Sequence, residues 1–243
     1  MKYAIISDVH GNLEALSAVS EDIESMGVNR VFFLGDAVGY AADPQKCIIL
    51  LDSLCDAMIA GNHDKIAATS LGMDDLNPAA LASLRWTIDT ITSDEVRWLR
   101  RLPMHREENG MYLVHGHPDR PHLWRYIETE TDADDAFEQI KNRILFVGHT
   151  HRPRIFCLSQ GEIQHLSHEG RPIRIEQGRR YICNPGSVGQ PRDGDPRASY
   201  GLLDMIEGTF TVRRVSYDIE KAAGRIYESG LPRDMGDRLF RGE

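Results

Sequence analysis

Five short apolar runs each end in side chains that bind metals, and this regularity constrains the fold more than any other feature of the chain. Residues 2–7 run into Asp8-Val9-His10, and residues 31–34 into Gly35-Asp36. Residues 57–60 run into Gly61-Asn62-His63-Asp64, 111–114 into His115-Gly116-His117, and 144–147 into Gly148-His149-Thr150-His151. Continuous apolar runs of this length suit strands covered on both faces. After Asn12, a natural N-cap, Leu13, Leu16, Val19, Ile23 and Met26 recur at helical spacing until Gly27 stops the run. Pro44 opens a second helix through about Leu54. Strands alternating with helices predict an α/β sheet with parallel strands. Ligands of such sheets bind at the carboxyl ends of the strands. The five clusters are therefore expected along one edge.

Residues 65–102 read as mainly helical, with Pro78 opening one helix and Ser93-Asp94-Glu95 another. After Pro103 the texture changes to hairpins, and Asn109-Gly110 marks a two-residue turn. Residues 117–135 read as loop and helix start, with a solvated acidic face from Glu128 to Asp135. Strands are expected at about 153–158, 173–176, 179–183, 199–206 and 209–215, and a helix from Asp218 to about Ser229. The Gly- and Arg-rich tail from about 230 is expected to be loosely ordered. With no repeat or linker, residues 1–243 are read as one domain holding two sheets.

The residue types at the strand ends suit a pair of metals. Two divalent cations ~3.5–4 Å apart need a shared anionic ligand, and the Asp36 carboxylate has two oxygens to offer. Neutral imidazoles and an Asn carbonyl complete each shell without excess charge. Such a mixed nitrogen and oxygen set favours Mn²⁺, Fe or Zn²⁺ over Mg²⁺ and Ca²⁺. Charge and composition exclude other classes. A net charge of −9 is no electrostatic footprint for nucleic acid. No apolar run is long enough for a membrane span, and the N-terminus lacks a secretory signal. Cys47, Cys55, Cys157 and Cys183 show no CxxC pairing and read as reduced core thiols. A cytoplasmic location is the expectation.

Found in this order, the five clusters resemble the calcineurin-like metallophosphoesterase family, and the match spans residues 8–151. Asn184-Pro185-Gly186-Ser187-Val188-Gly189-Gln190-Pro191-Arg192 resembles the small single-domain bacterial and archaeal members. The resemblance implies two mixed β-sheets packed as a sandwich with flanking helices, an α+β four-layer arrangement. It implies one metal held by Asp8, His10, Asp36 and His151, and another by Asp36, Asn62, His115 and His149. A bridging hydroxide would attack phosphorus, His63 would contact a phosphate oxygen or protonate the leaving group, and Asp64 would orient the His63 ring. Small members of the family are often oligomers.

The expected activity is hydrolysis of phosphodiester or phosphoanhydride bonds in a small, nucleotide-type substrate. A protein Ser/Thr phosphatase is the first alternative. Gly39-Tyr40 stands where that branch has Asp-Arg, and Asp64 stands where it has Glu, which weighs against it. A non-catalytic scaffold is the second, although His63 and all seven ligand positions are filled. Asn12, Arg125 and Arg192 are candidate substrate contacts, with Arg197 and Tyr40 less strongly indicated. His117, beside His115, reads as a supporting or surface residue.

Overall fold

The computed structural model describes residues 1–168 and 170–243. The strands are β1 (Lys2–Ile6), β2 (Arg30–Phe33), β3 (Ala57–Met58), β4 (His105–Glu108), β5 (Met111–Val114), β6 (Ile144–Phe146), β7 (Arg154–Ser159), β8 (Glu162–His165), β9 (Ile173–Arg174), β10 (Arg180–Asn184), β11 (Ala198–Asp204) and β12 (Thr209–Val215). The α-helices are α1 (Leu13–Ser25), α2 (Pro44–Leu54), α3 (Asn62–Thr69), α4 (Pro78–Thr90), α5 (Ser93–Arg101), α6 (Glu130–Gln139), α7 (Ile219–Glu228) and α8 (Arg233–Asp237). Two mixed six-stranded sheets result, ordered β3-β2-β1-β11-β12-β9 and β4-β5-β6-β10-β7-β8. Within the first, β1, β2 and β3 are parallel; within the second, β5, β6 and β10 are parallel.

Side-chain alternation along each strand builds the layers. Tyr3, Ile5, Phe32 and Leu34 of the first sheet meet Leu113, Phe146, Ile155 and Tyr181 of the second in the core between the sheets. The intervening residues Ala4, Ile6, Val31 and Phe33 face outward onto Leu16 and Val19 of α1 and Cys47 and Leu51 of α2. On the far side, Val114, Leu145 and Ile182 pack against Ala133, Ala136 and Phe137 of α6. Both sheets are thus covered on both faces, which explains why their strands read as unbroken apolar runs.

Local signals set the helix ends. Asn12 caps α1 by accepting the Ala15 N–H at 3.1 Å, and Asn77 caps α4 through Ala80 at 2.9 Å. The acidic stretch at 128–135 has a function beyond solvation. Asp132 accepts the Thr129 backbone N–H at 2.9 Å in a capping box, and α6 then buries its apolar side. Polar strand β8, absent from the sequence-based expectations, pairs with β7 across Gln160 and Gly161, both at positive φ. Three of its four side chains are exposed and only Ile163 packs inward, so no apolar pattern marks it. From residue 230, where composition suggested loose order, α8 forms and Leu231, Met235 and Leu239 are buried. No helix among the described residues is long and apolar enough to cross a membrane.

Candidate metal centre

The carboxyl ends of the parallel strands of both sheets converge on one cleft. Asp8 and His10 follow β1, Asp36 follows β2, Asn62 and His63 open α3 after β3, His115 follows β5, and His149 and His151 follow β6. Asp8, His10, Asp36, His63, His115 and His151 are all buried. Their ligand atoms form overlapping groups, each within 4.8 Å: Asp8, His10 and His151; Asp36, His115 and His149; His10, Asp36 and His63. Distance alone does not separate His63 from the other histidines of the cluster. Asp8, His10, Asp36, His149 and His151 all have φ between 52° and 69°. Non-glycine residues in this region are strained by about 1–3 kcal/mol each, a cost that clusters at functional sites. Gly61 is required by crowding, because a Cβ there would overlap the Asp36 carboxylate.

Hydrogen bonds fix the histidine tautomers. The Nδ1 atoms of His10, His115 and His151 lie 3.0, 2.7 and 2.6 Å from the carbonyls of Val38, Leu34 and Gln190. A carbonyl only accepts, so each Nδ1 carries a hydrogen, and in neutral His10 and His151 each Nε2 then presents a lone pair. The Nε2 atoms of His10 and His151 are 3.1 Å apart. With both Nδ1 hydrogens already donated, neither neutral ring can donate to the other. A cation between or beside them resolves that repulsion. Asp8 Oδ1, Asn62 Oδ1 and His115 Nε2 are buried without any hydrogen-bond partner. Buried polar atoms are seldom left so. His115 Nε2 is 3.2 Å from Asp36 Oδ2, and His151 Nε2 is 3.4 Å from Asp8 Oδ1. The donor set therefore fits transition-metal ions.

Electrostatics agree for three of the rings. Burial pushes His10 and His151 well below the ordinary imidazole range and His149 down to about 3, so these rings are neutral. Burial also opposes charge on His115, but Asp36 and Asp8 outweigh it and raise the ring to about 9, so its Nε2 carries a proton that a metal there would displace. Burial lifts Asp8 to about 6, whereas His115 and His63 hold Asp36 well below the carboxylate range despite its burial. Anionic charge is concentrated on Asp36, at the junction of the groups.

One expected role changes. The Asp64 carboxylate does not meet the His63 ring, whose Nδ1 has no partner. Asp64 Oδ2 instead accepts the Asp36 and Gly61 N–H groups at 2.8 and 3.0 Å, and Oδ1 accepts Ala37 N–H at 2.8 Å. Local geometry makes this so: at the third position of α3, its side chain turns back over the helix start. Asp64 clamps two ligand-bearing loops together. The His63 ring packs against Tyr40 and His10, with ring centroids 4.6 and 4.8 Å away.

The cleft holds about 930 Å³. Of the expected substrate contacts, Arg192 lines it, with the guanidinium 5.6 Å from the Tyr40 ring centre. Asn12 does not; besides capping α1, it donates to Gly189 O at 2.8 Å. Arg125 is also held elsewhere, bonded to Asp135 at 2.6 Å and to buried His117. Arg197 pairs with Asp195 at 2.6 Å. Trp124, Tyr126 and Arg238 line the cleft and were not anticipated. Tyr126 is 49% exposed and stacks on His149 at 4.4 Å. The sequence signal available for the aromatics was their spacing, two apart in a loop after a ligand motif; none marked Arg238.

Comparison with known proteins supplies the family. Residues 1–208 match the calcineurin-like phosphoesterase superfamily domain. An uncharacterized protein of Methanocaldococcus jannaschii is 39% identical, over 98% of this chain and 97% of its own. The phosphodiesterase YfcE of Escherichia coli is 27% identical, over 84% of this chain and 88% of its own. The crystal structure of a metallophosphoesterase from Sphaerobacter thermophilus superposes with a TM-score of 0.88 at 37% identity, over 100% of this chain and 99% of that one. On the strength of a match that runs from the first strand through eleven of the twelve, the chain belongs to the calcineurin-like phosphoesterase superfamily.

Proposed function

We propose that the protein is a binuclear metal-dependent phosphoesterase that hydrolyses phosphodiester or phosphoanhydride bonds of a small, nucleotide-type substrate. One observation carries the reading: buried Asp36 groups with His115 and His149 and also with His10, which groups in turn with Asp8 and His151, while Asp8 Oδ1, Asn62 Oδ1 and His115 Nε2 lack partners. Asp8, His10, Asp36 and His151 would hold one ion; Asp36, Asn62, His115 and His149 the other. When bound, the ions supply Lewis-acid charge at the phosphoryl oxygens and make hydroxide available near neutral pH. Mn²⁺, Fe and Zn²⁺ suit the donor set.

The remaining side chains bind and orient. Burial keeps His63 neutral, at about 4, so it meets the substrate as a hydrogen-bonding imidazole at the mouth of the ligand cluster. Arg192, in the same cleft, offers a forked contact to a phosphoryl oxygen pair. Trp124, Tyr126 and Leu123 form an apolar wall that suits a flat leaving group such as a nucleobase or aryl ring. The name of the YfcE relative supports the diester class.

The test pairs metal analysis with a hydrolysis panel under matched Mn²⁺. The panel holds an aryl phosphomonoester, bis(4-nitrophenyl) phosphate, diadenosine tetraphosphate, a cyclic nucleotide and a phosphopeptide. The expected result is about two transition metals per chain and turnover of diester or anhydride. Preference for the phosphopeptide would favour a protein phosphatase. Absence of all turnover in folded, metal-loaded protein would favour a scaffold.

A further inference from the structure

The superfamily match ends at residue 208, yet the chain beyond it returns to the site. Leu231, Met235 and Leu239 are buried in one cluster with Tyr40 and Ala41, next to the ligand loop after β2. The Tyr40 ring in turn lies 4.6 Å from the rings of both His10 and His63. Two further contacts fix the segment. Tyr227 donates its O–H to Asp237 at 2.6 Å, and Gly242 accepts the Gly194 N–H at 3.0 Å, close to Arg192 in sequence. This anchoring places half-buried Arg238 in the lining of the cleft that Arg192 also lines.

The cleft's charge is unbalanced. Among its described lining residues Asp36 is the only carboxylate, and it faces the ligand histidines. Arg192 donates through Nη2 to Gln190 Oε1 at 2.9 Å but meets no carboxylate, its Nε is buried without a partner, and the Lys65 amine is used on the Leu102 carbonyl at 2.7 Å. Two guanidiniums lining one cleft favour an anion in it. A phosphodiester carries a single negative charge, which bound metal ions would engage. A phosphoanhydride brings a second phosphoryl group with oxygens to spare.

We infer that Arg238, supplied by the C-terminal segment, contacts a second phosphoryl group and selects phosphoanhydride-bearing nucleotides over simple diesters. The inference rests on the phosphoesterase reading and narrows its substrate class. The assay uses the Mn²⁺-loaded full chain with diadenosine tetraphosphate and bis(4-nitrophenyl) phosphate. In R238Q the ratio of kcat/KM for the tetraphosphate to that for the aryl diester falls about tenfold, the effect of one lost charge-assisted contact, mostly through KM. R238K keeps a larger share of the ratio. A ratio within twofold of the parent's, or a parent that cleaves the diester but not the tetraphosphate, overturns the inference and leaves the phosphoesterase reading intact. A parent that cleaves neither overturns both. If R238Q loses its cooperative melt, R238M, which keeps the aliphatic stem of the side chain, carries the same test: a tenfold fall in the ratio supports the role and a ratio within twofold of the parent's refutes it.

Discussion

Asp64→Asn separates a clamp from an acid–base partner. Asp64 receives three backbone N–H groups, two on Oδ2 and one on Oδ1. An amide oxygen can keep the pair from Asp36 and Gly61, but the amide nitrogen then faces the Ala37 N–H, donor against donor. Burial and neighbouring Asp36 raise the Asp64 carboxyl to about 7, so the comparison is made at pH 8. A hydrogen bond to the charged group then contributes about 1.5–3 kcal/mol, and a buried N–H left unsatisfied costs about 1–3 kcal/mol. Because these two figures overlap, the net loss is on the order of 3 kcal/mol. For a chain of this length each kcal/mol moves Tm by about 2–4 °C, so the metal-free variant should melt roughly 6–12 °C below the parent. The same change loosens the Asp36 loop, so metal affinity should fall about 10–100-fold, as when a partner of a ligand is removed. Calorimetry of apo protein and metal titration measure the two effects. A variant with the parent's Tm and metal affinity but reduced kcat would refute the clamp and restore Asp64 as a partner of His63.

Asp36→Asn should leave folded protein with little bound metal and at least about a hundredfold less turnover; retained metal content would contradict the bridging assignment. His63→Ala should keep its metal while kcat falls about 10²–10⁴-fold, the usual range for a lost acid or hydrogen-bond donor at the reacting group. Chelation of the native protein should abolish turnover and lower Tm, and Mn²⁺ should restore both, since an ion at a thousand times its Kd adds about 4 kcal/mol to stability. Asp22, far from the site, binds Arg213 through two contacts of 2.8 and 2.9 Å and accepts the Tyr200 O–H at 2.6 Å. The Arg213 bond lowers its pKa in the folded state, so its stabilisation is complete above the unfolded value and is lost as pH falls through the folded one. The Tm gap between parent and Asp22→Asn should be a few degrees at pH 7 and close as pH drops below about 4; a gap that persists at pH 2 would place the effect in packing.

Much of this protein is written locally. Each ligand motif sits at the end of an apolar strand because burial of both sheet faces demands unbroken Ile, Val, Leu and Phe, and the chain can carry polar chemistry only where the strand stops. The order of Asp8, Asp36, Asn62, His115 and His149 along the chain was therefore enough to place them on one edge and to identify the superfamily. Asn12 announces its helix through capping that spans three residues, and Pro78 and Ser93-Asp94-Glu95 mark the starts of two others.

What needed the tertiary structure was every contact between segments distant in sequence. Asp64 neighbours His63 in the chain, but helix geometry turns its carboxylate onto backbone N–H groups 27 and 28 residues away. Arg125 and Asn12 carry the right chemistry for a phosphate, yet Asp135 and Gly189 lie nearer and take their donors. Polar β8 follows a partner strand rather than any pattern of its own. Arg238 reaches the cleft only because Leu231, Met235 and Leu239 bury themselves beside Tyr40, nearly two hundred residues earlier. Sequence determines periodicity and capping, which act over a turn or a strand. Which side chain wins a given partner depends on three-dimensional distance, and packing alone decides that.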